Sequence, residues 1–386
     1  MNFNLRQLEA QETPFYYYDT QLLRTTLAAL DAARAGEEHI HVHYAVKANA
    51  RPELLRIILA AGLGADCVSG GEVRAALEAG FPAESIVFAG VGKADWELRL
   101  ALEAGIGMFN VESLPELQRI SELAVEMGKM ARIALRINPN VDAHTHEKIT
   151  TGLNENKFGL AMEDMLEAVR EAERLEGVSY EGLHFHIGSS ILDLGVFARL
   201  CERINELQDI LEKEGIVTRN INVGGGLGTH YEDPDVHPIP DFIGYMDTFR
   251  KYLNLRPGQH LHVEPGRSVV AQCGMLVSRV LYEKQGHEKK FLILDAGFTD
   301  LIRPALYNAH HLIQNLSSAD QTATERYDVV GPICESSDVF QTQAPLPPSK
   351  RGDLIAFRTA GAYGEVMASQ YNLRRLPGAV FDEQQN

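Results

Sequence analysis

Cysteine is scarce: four residues in 386, Cys67, Cys201, Cys273 and Cys334, with no C-x-x-C pair among them. That excludes a disulfide framework and a cysteine-built zinc ribbon, and makes a reducing cytoplasm the expected setting. Long apolar runs are missing as well. None approaches the roughly 20 residues needed to cross a bilayer, so no membrane partner is expected. The opening stretch MNFNLRQLEAQET lacks the basic and apolar regions of a signal peptide. Positive charge is in deficit, with 36 Lys and Arg against 53 Asp and Glu for a net charge of −17, which argues against nucleic acid. What remains is ordinary: 45% hydrophobic and 23% charged residues describe a globular chain with a sizeable core. At about 100–200 residues per domain, the length allows two or three domains unless a large α/β barrel absorbs much of it.

The first half repeats. Helix-like runs such as RPELLRIILAAG, GEVRAALEAG and DWELRLALEAG end on Gly62, Gly80 and Gly105, and LPELQRISELAVEMG ends on Gly128, where a helix C-cap needs positive φ. Short apolar strands follow, beginning near Ile40, Leu63, Ser85, Gly107 and Ala131, at spacings of 23, 22, 22 and 24 residues. That is the period of a βα unit and implies a parallel sheet. VSYEGLHFHIG, NINVGGG and HLHVEPG supply three more strands, separated by helices around 162–175, 193–214 and 241–254. Eight such strands predict a (β/α)8 TIM barrel over residues 22–265, with an open doubly wound sheet as the structural rival. After Gly266 the pattern turns to strands and turns, predicting a β-rich, Greek-key or barrel-like C-terminal domain over 266–386. The N-terminal strand PFYYYD, within residues 1–21, is expected to pair with it.

In such a barrel, functional groups project from the C-terminal strand ends. Those ends carry Lys47, Asp66, Gly90, Asn110, Arg136, Asn138, His186, Gly224 to Gly226 and Glu264. Lys47 in HYAVKANA reads either as a lysine that ends a strand or as an amine made nucleophilic by burial, as a Schiff base requires. The glycines of INVGGGLG read as a tight turn or as backbone N–H groups closing around a phosphate, with Ser189 and Arg267 able to add to the same anion. Of His184 and His186, one is expected to face the barrel interior and the other the helical shell. His39, His41 and His43 share a face at the start of a strand, the structural end of a barrel, and no metal site is expected there. Cys334 reads as an inert core thiol or, beside Glu335 in a polar stretch, as a proton donor. The loop from Val141 to Asn156 reads as a solvated loop or a cover over the barrel mouth.

HYAVKANA, GADCVSGGE, ENKFG, HFHIGS, VGGGLG, EPGR, RPALY, GPICESSD and AGAYG stand in an order that resembles the meso-diaminopimelate decarboxylase family, within the alanine-racemase-like (fold type III) enzymes. The likeness runs over nearly the whole chain. It implies pyridoxal 5'-phosphate as cofactor and a small amino acid as substrate, meso-diaminopimelate, converted to L-lysine and CO2 in the last step of lysine biosynthesis. It further implies that Lys47 is the Schiff-base lysine and that His186 stacks on the pyridine ring. Gly224, Gly225, Gly226, Ser189 and the EPGR turn with Gly266 and Arg267 would hold the phosphate, and Glu264 the ring nitrogen. Arg267, Arg303, Tyr307 and Glu335 would bind substrate, Tyr363 would touch both, and Cys334 would be the general acid. The family also implies a homodimer whose Cys334–Glu335 segment completes the partner's site. Glu264 favours decarboxylation, since a carboxylate keeps the pyridine protonated, whereas racemases of the group place an arginine there. Two alternatives stay open: a decarboxylase of a diamine precursor, of carboxynorspermidine or ornithine type, and a non-catalytic regulatory homologue. Ser190 departs from the family's glutamine.

Overall fold

The computed structural model describes residue 1 and residues 3–141 and 157–382. It divides into two compact units, one of Leu27–Gly228 and Asp241–Gly266, the other of Met1–Thr26, Thr229–Pro240 and Arg267–Asn386. Strand β1 (Phe15–Tyr18) belongs to the second unit. The first unit closes eight parallel strands into a barrel: β2 (Ile40–Ala45), β3 (Gly64–Cys67), β4 (Ile86–Phe88), β5 (Met108–Val111), β6 (Ala131–Arg136), β7 (Val178–His184), β8 (Asn220–Asn222) and β9 (His260–Val263). The expected strand starts fall within one residue of these. β2 closes the ring on β9 with Ile40 opposite Leu261.

The helices between strands have local causes. Ser69 and Ser113 cap the helices Gly70–Ala79 and Leu114–Glu126 by accepting from the backbone N–H of Glu72 and Glu116. Gly80 and Gly105 end their helices at φ +99° and +68°, a conformation that costs other residues energy. No helix among the described residues is long and apolar enough to cross a membrane.

The barrel interior is unusually polar toward the start of its strands. His41 Nε2 lies 2.9 Å from His260 Nδ1, and His43 Nε2 lies 3.0 Å from His262 Nδ1. The His43 and His262 rings stack with centroids 5.2 Å apart, and His262 Nε2 bonds Asn220 Oδ1 at 2.9 Å. Gly64 makes room for this, because a Cβ there would fall 2.6 Å from His43 Nδ1. Burial, then the neighbouring His260, pushes His41 from 6.5 down to about 4. Burial pushes His43 and His262 down too. The unfolded chain therefore binds protons on these rings that the folded barrel refuses. Stability is expected to be fully present above about pH 6.5 and to fall as pH drops through the window toward 4. Urea midpoints measured at pH 7.5, 5.5 and 4.5 check this; a flat profile contradicts it.

The second unit is a mixed sheet. Its strands are β10 (Gly274–Gln285), β11 (Lys290–Leu294), β12 (Ile313–Asn315), β13 (Glu325–Val330), β14 (Val339–Leu346), β15 (Leu354–Phe357) and β16 (Gly378–Phe381), with β1 added. The order is β12–β15–β10–β11–β13–β14, and β1 lies antiparallel to β10 and parallel to β16. All four residues of β1 are buried. Phe15 and Tyr17 pack with Leu8, Met275, Val277, Leu354 and Ala356 in the core of this unit.

Candidate active site

Lys47 stands in a single helical turn, Val46–Ala48, directly after β2. The turn is pinned by Tyr44, whose hydroxyl donates to Asn49 O at 2.9 Å, and by the Ala45 N–H on Pro265 O at 3.1 Å. Gly266 packs so tightly here that a Cβ would lie 2.9 Å from that of Ala45. Lys47 Nζ reaches Asp66 Oδ2 at 3.2 Å. Burial and the nearby Glu264 raise the Asp66 carboxyl from 3.8 to about 7, against the lowering pull of Lys47.

Glu264 follows β9 and is buried among donors. Asn222 Nδ2 reaches its Oε1 at 2.7 Å and Asn110 Nδ2 the same oxygen at 3.3 Å, while His184 Nε2 lies 3.0 Å from Oε2. Burial alone would raise this carboxyl, but His184, Lys47 and Asn222 hold it well below the usual carboxylate range. Two buried carboxylates are thereby driven apart, Asp66 up and Glu264 down.

The expectation that His184 and His186 face opposite ways is wrong. Residues two apart along extended chain share a face. His184 turns inward to Glu264, and His186 Nδ1 accepts from Gly225 N at 3.3 Å. The surrounding protein, then Arg136 and Lys47, hold the His186 imidazole well below its usual pKa.

The triple glycine is a cradle that side chains would fill. Gly224 and Gly226 adopt φ +71° and +115°. A Cβ on Gly224 would strike Phe185 O, one on Gly225 would strike Glu264 O, and one on Gly226 would lie 3.0 Å from Gly188 O. The Glu264 N–H donates to Gly224 O at 2.8 Å, tying cradle and carboxylate together. Ser189 is half-buried, and Ser190 beside it holds φ +63°. Farther round the ring, Arg136 Nη1 pairs with buried Glu112 Oε1 at 2.7 Å, and Glu112 also accepts from Gly90 N at 3.1 Å. Asn138 is buried and accepts from Asn140 N at 3.1 Å. Of the loop read as a possible cover, all but Val141 lies outside the described residues.

The second unit holds the other residues singled out. Arg267 Nη1 donates to the Tyr231 hydroxyl at 2.6 Å, and its guanidinium lies 4.7 Å from the Tyr363 ring centre. The Arg303 guanidinium lies 4.8 Å from the Tyr231 ring centre, with Nη1 2.8 Å from His311 Nε2. His311 Nδ1 donates to Arg358 O at 2.9 Å, which leaves Nε2 as an acceptor. Burial, then Arg303, presses His311 down to about 3, so it stays neutral beside that cation. Burial raises Tyr231, but Arg267 and Arg303 more than offset it and lower its pKa. Arg303 keeps a buried Nε with no partner among the described residues. Tyr307 closes the short helix Arg303–Tyr307 and is half-buried. Cys334 and Glu335 lie exposed on a turn whose base is Asp338, which accepts from the N–H of Phe298 and Ile333, both at 2.7 Å. Glu335 accepts from the Tyr371 hydroxyl at 2.6 Å.

Lys47, His186, the glycines, Glu264 and Gly266 thus share one unit, while Arg267, Arg303, Tyr307, Tyr363, Cys334 and Glu335 share the other. His184, Asn222, Glu112, Tyr231 and His311 were not assigned roles from the sequence. The two-residue alternations in HFH and NIN were usable signals for His184 and Asn222; nothing marks Tyr231 or His311.

A cradle closed to side chains, a strand-end lysine and a buried ionised carboxylate fit a phosphate-bearing pyridine aldehyde. Fold and site together describe a barrel enzyme of the kind that seats such a cofactor beside a lysine. Residues 23–271 match the family model "Pyridoxal-dependent decarboxylase, pyridoxal binding domain". The chain is 59% identical over 99% of its length to a diaminopimelate decarboxylase of Bacteroides thetaiotaomicron, covering 98% of that protein. It is 44% identical to one from Zymomonas mobilis, over 95% of this chain and 87% of the relative. A crystal structure of diaminopimelate decarboxylase from Helicobacter pylori complexed with L-lysine superposes with a TM-score of 0.91 at 40% identity, covering 98% of this chain and 94% of the other. A lysine/ornithine decarboxylase of Vibrio vulnificus, 22% identical with a TM-score of 0.84, shares the fold. The chain belongs to the pyridoxal-dependent decarboxylase family.

Proposed function

We propose that this protein decarboxylates meso-diaminopimelate to L-lysine and CO2, using pyridoxal phosphate. The observation that carries decarboxylation is Glu264, a buried carboxylate kept ionised by His184 and two asparagine donors. Full-length likeness to diaminopimelate decarboxylases supports the substrate. So do two buried guanidiniums, Arg267 and Arg303, suited to a carboxylate at the substrate's far end.

Bound pyridoxal phosphate supplies the sink for the electron pair released when the carboxyl carbon leaves. In this reading Lys47 is the amine that holds its aldehyde carbon. Gly224, Gly225, Gly226, Ser189, Gly266 and Arg267 would hold the phosphate, His186 would lie against the ring, and Glu264 would bond the ring nitrogen. Arg267 and Arg303 take the distal carboxylate, Glu335 the distal ammonium, and Tyr307 and Tyr363 border the substrate. Cys334 donates the proton that replaces CO2 at Cα. Its exposure, with that of Glu335, supports a homodimer in which this turn serves the partner's site. Four free cysteines agree with a reducing cytoplasm.

Incubation with pyridoxal phosphate and meso-diaminopimelate is expected to give lysine and CO2 in equal amounts. Release of a diamine from ornithine or lysine instead overturns the substrate assignment. Cys334→Ser is expected to lower kcat by about 10²–10³-fold with KM nearly unchanged. Mixing Lys47→Ala with Cys334→Ala protein should restore part of the activity; no recovery in mixed dimers argues against a shared site.

A further inference from the structure

The barrel end opposite Lys47 holds a cavity. Barrels of this type usually fill the interior with branched aliphatic side chains. Here His41, His43, His260 and His262 occupy that place and line a cavity of about 430 Å³. The cavity is larger than packing defects in a core, and within the range of small-molecule sites.

Its lining holds one more guanidinium than carboxylates. Arg34, Arg132 and Arg219 line it against two carboxylates, Glu84 and Glu181. Arg219 lies 3.5 Å from Glu181, so that pair largely cancels. Arg34 reaches Asp31 through Nη2 at 2.9 Å, yet its buried Nε has no partner among the described residues. Arg132 has neither an ion pair nor a hydrogen bond from its side chain among the described residues. Arg132 is exposed at the cavity mouth, and a guanidinium there without a counter-charge can donate to an oxyanion.

The imidazoles fit the same ligand and not a metal. His41 Nε2 and His260 Nδ1 are engaged with each other, as are His43 Nε2 and His262 Nδ1. The His41 and His262 rings stack with centroids 4.8 Å apart, so the rings lie face to face and do not converge on one point. Among the described residues no group of three or more His, Cys, Asp or Glu can hold a metal ion. The second nitrogens of His41 and His260 make no bond among the described residues. The bond between the two rings takes one proton, so with neutral rings one outer nitrogen is an N–H that can donate to a ligand's oxygen and the other is bare.

We propose that this mouth binds a small, multiply charged oxyanion, either phosphate-bearing or a dicarboxylate, held by Arg132 and Arg34 with the one outward N–H of the His41–His260 pair as a further donor. The site is distinct from the cradle at Gly224–Gly226, and its existence does not depend on the decarboxylation reading.

Cofactor-loaded protein is titrated calorimetrically with inorganic phosphate and, separately, with malonate at constant ionic strength. Saturable binding of one anion per chain is expected, weakened about tenfold or more by Arg132→Ala and by His41→Leu. Neither residue is placed in the catalytic machinery, so both variants are expected to keep the native rate of lysine formation. Response to phosphate alone or malonate alone assigns the ligand class within the proposal. No saturable binding of either probe overturns it, as does binding that both variants retain unchanged. So does zinc uptake at this end that displaces the anion.

Discussion

Lys47→Ala protein is expected to stay folded and to turn over at least about 10⁴-fold more slowly, roughly 5.5 kcal/mol of barrier. The fold survives because Lys47 ends its strand in a turn held by Tyr44 and by backbone bonds, and its side chain is 36% exposed. Its loss also leaves no stranded charge. Asp66, already raised to about 7, loses its nearest cation and takes a proton, and a neutral carboxyl can remain in the barrel. Activity has no such substitute, since no other lysine stands at Asp66 or Glu264 among the described contacts. Lysine formation, thermal unfolding and cofactor retention through gel filtration separate the two effects. Turnover at the native rate would sink the assignment of Lys47.

Glu264→Gln is expected to lower kcat by about 10²–10³-fold while KM changes little. The amide matches the carboxylate in shape, so Asn110 and Asn222 can still donate to an oxygen. Its NH2 must then face His184 Nε2, which has to become an acceptor with the ring proton moved to Nδ1. That nitrogen is buried and has no partner among the described residues, so the variant carries a modest stability cost. What the amide cannot supply is fixed negative charge opposite the electron sink. A variant with native kcat removes the proposed role of Glu264, whatever its stability.

The barrel was readable because each βα unit uses a nearly constant length of chain. Strands expected near Leu63, Ser85 and Gly107 begin at Gly64, Ile86 and Met108. Lys47, the triple glycine and Glu264 were legible as strand ends for the same reason. Side-chain direction was harder. His184 was misassigned although the two-residue period of extended chain already turned it toward Glu264. Tyr231 and His311 were illegible for a different reason. Tyr231 lies in Thr229–Pro240, which has no periodicity, and its partners Arg267 and Arg303 come from distant parts of the chain. Only the folded sheet unit brings them together.

Strand β1 has a consequence for synthesis. Phe15 pairs with Val277 on one side and with Gly378 on the other, so its second neighbour is made 363 residues later. At about 5–20 residues per second, a nascent chain carries FYYY incompletely paired for roughly 20–70 s. Pro14 and Asp19 directly flank this aromatic segment, the kind of gatekeepers that keep an unpaired strand from adhering to its copies on neighbouring ribosomes. The first strand of the chain is therefore completed only when nearly all of the chain has been made.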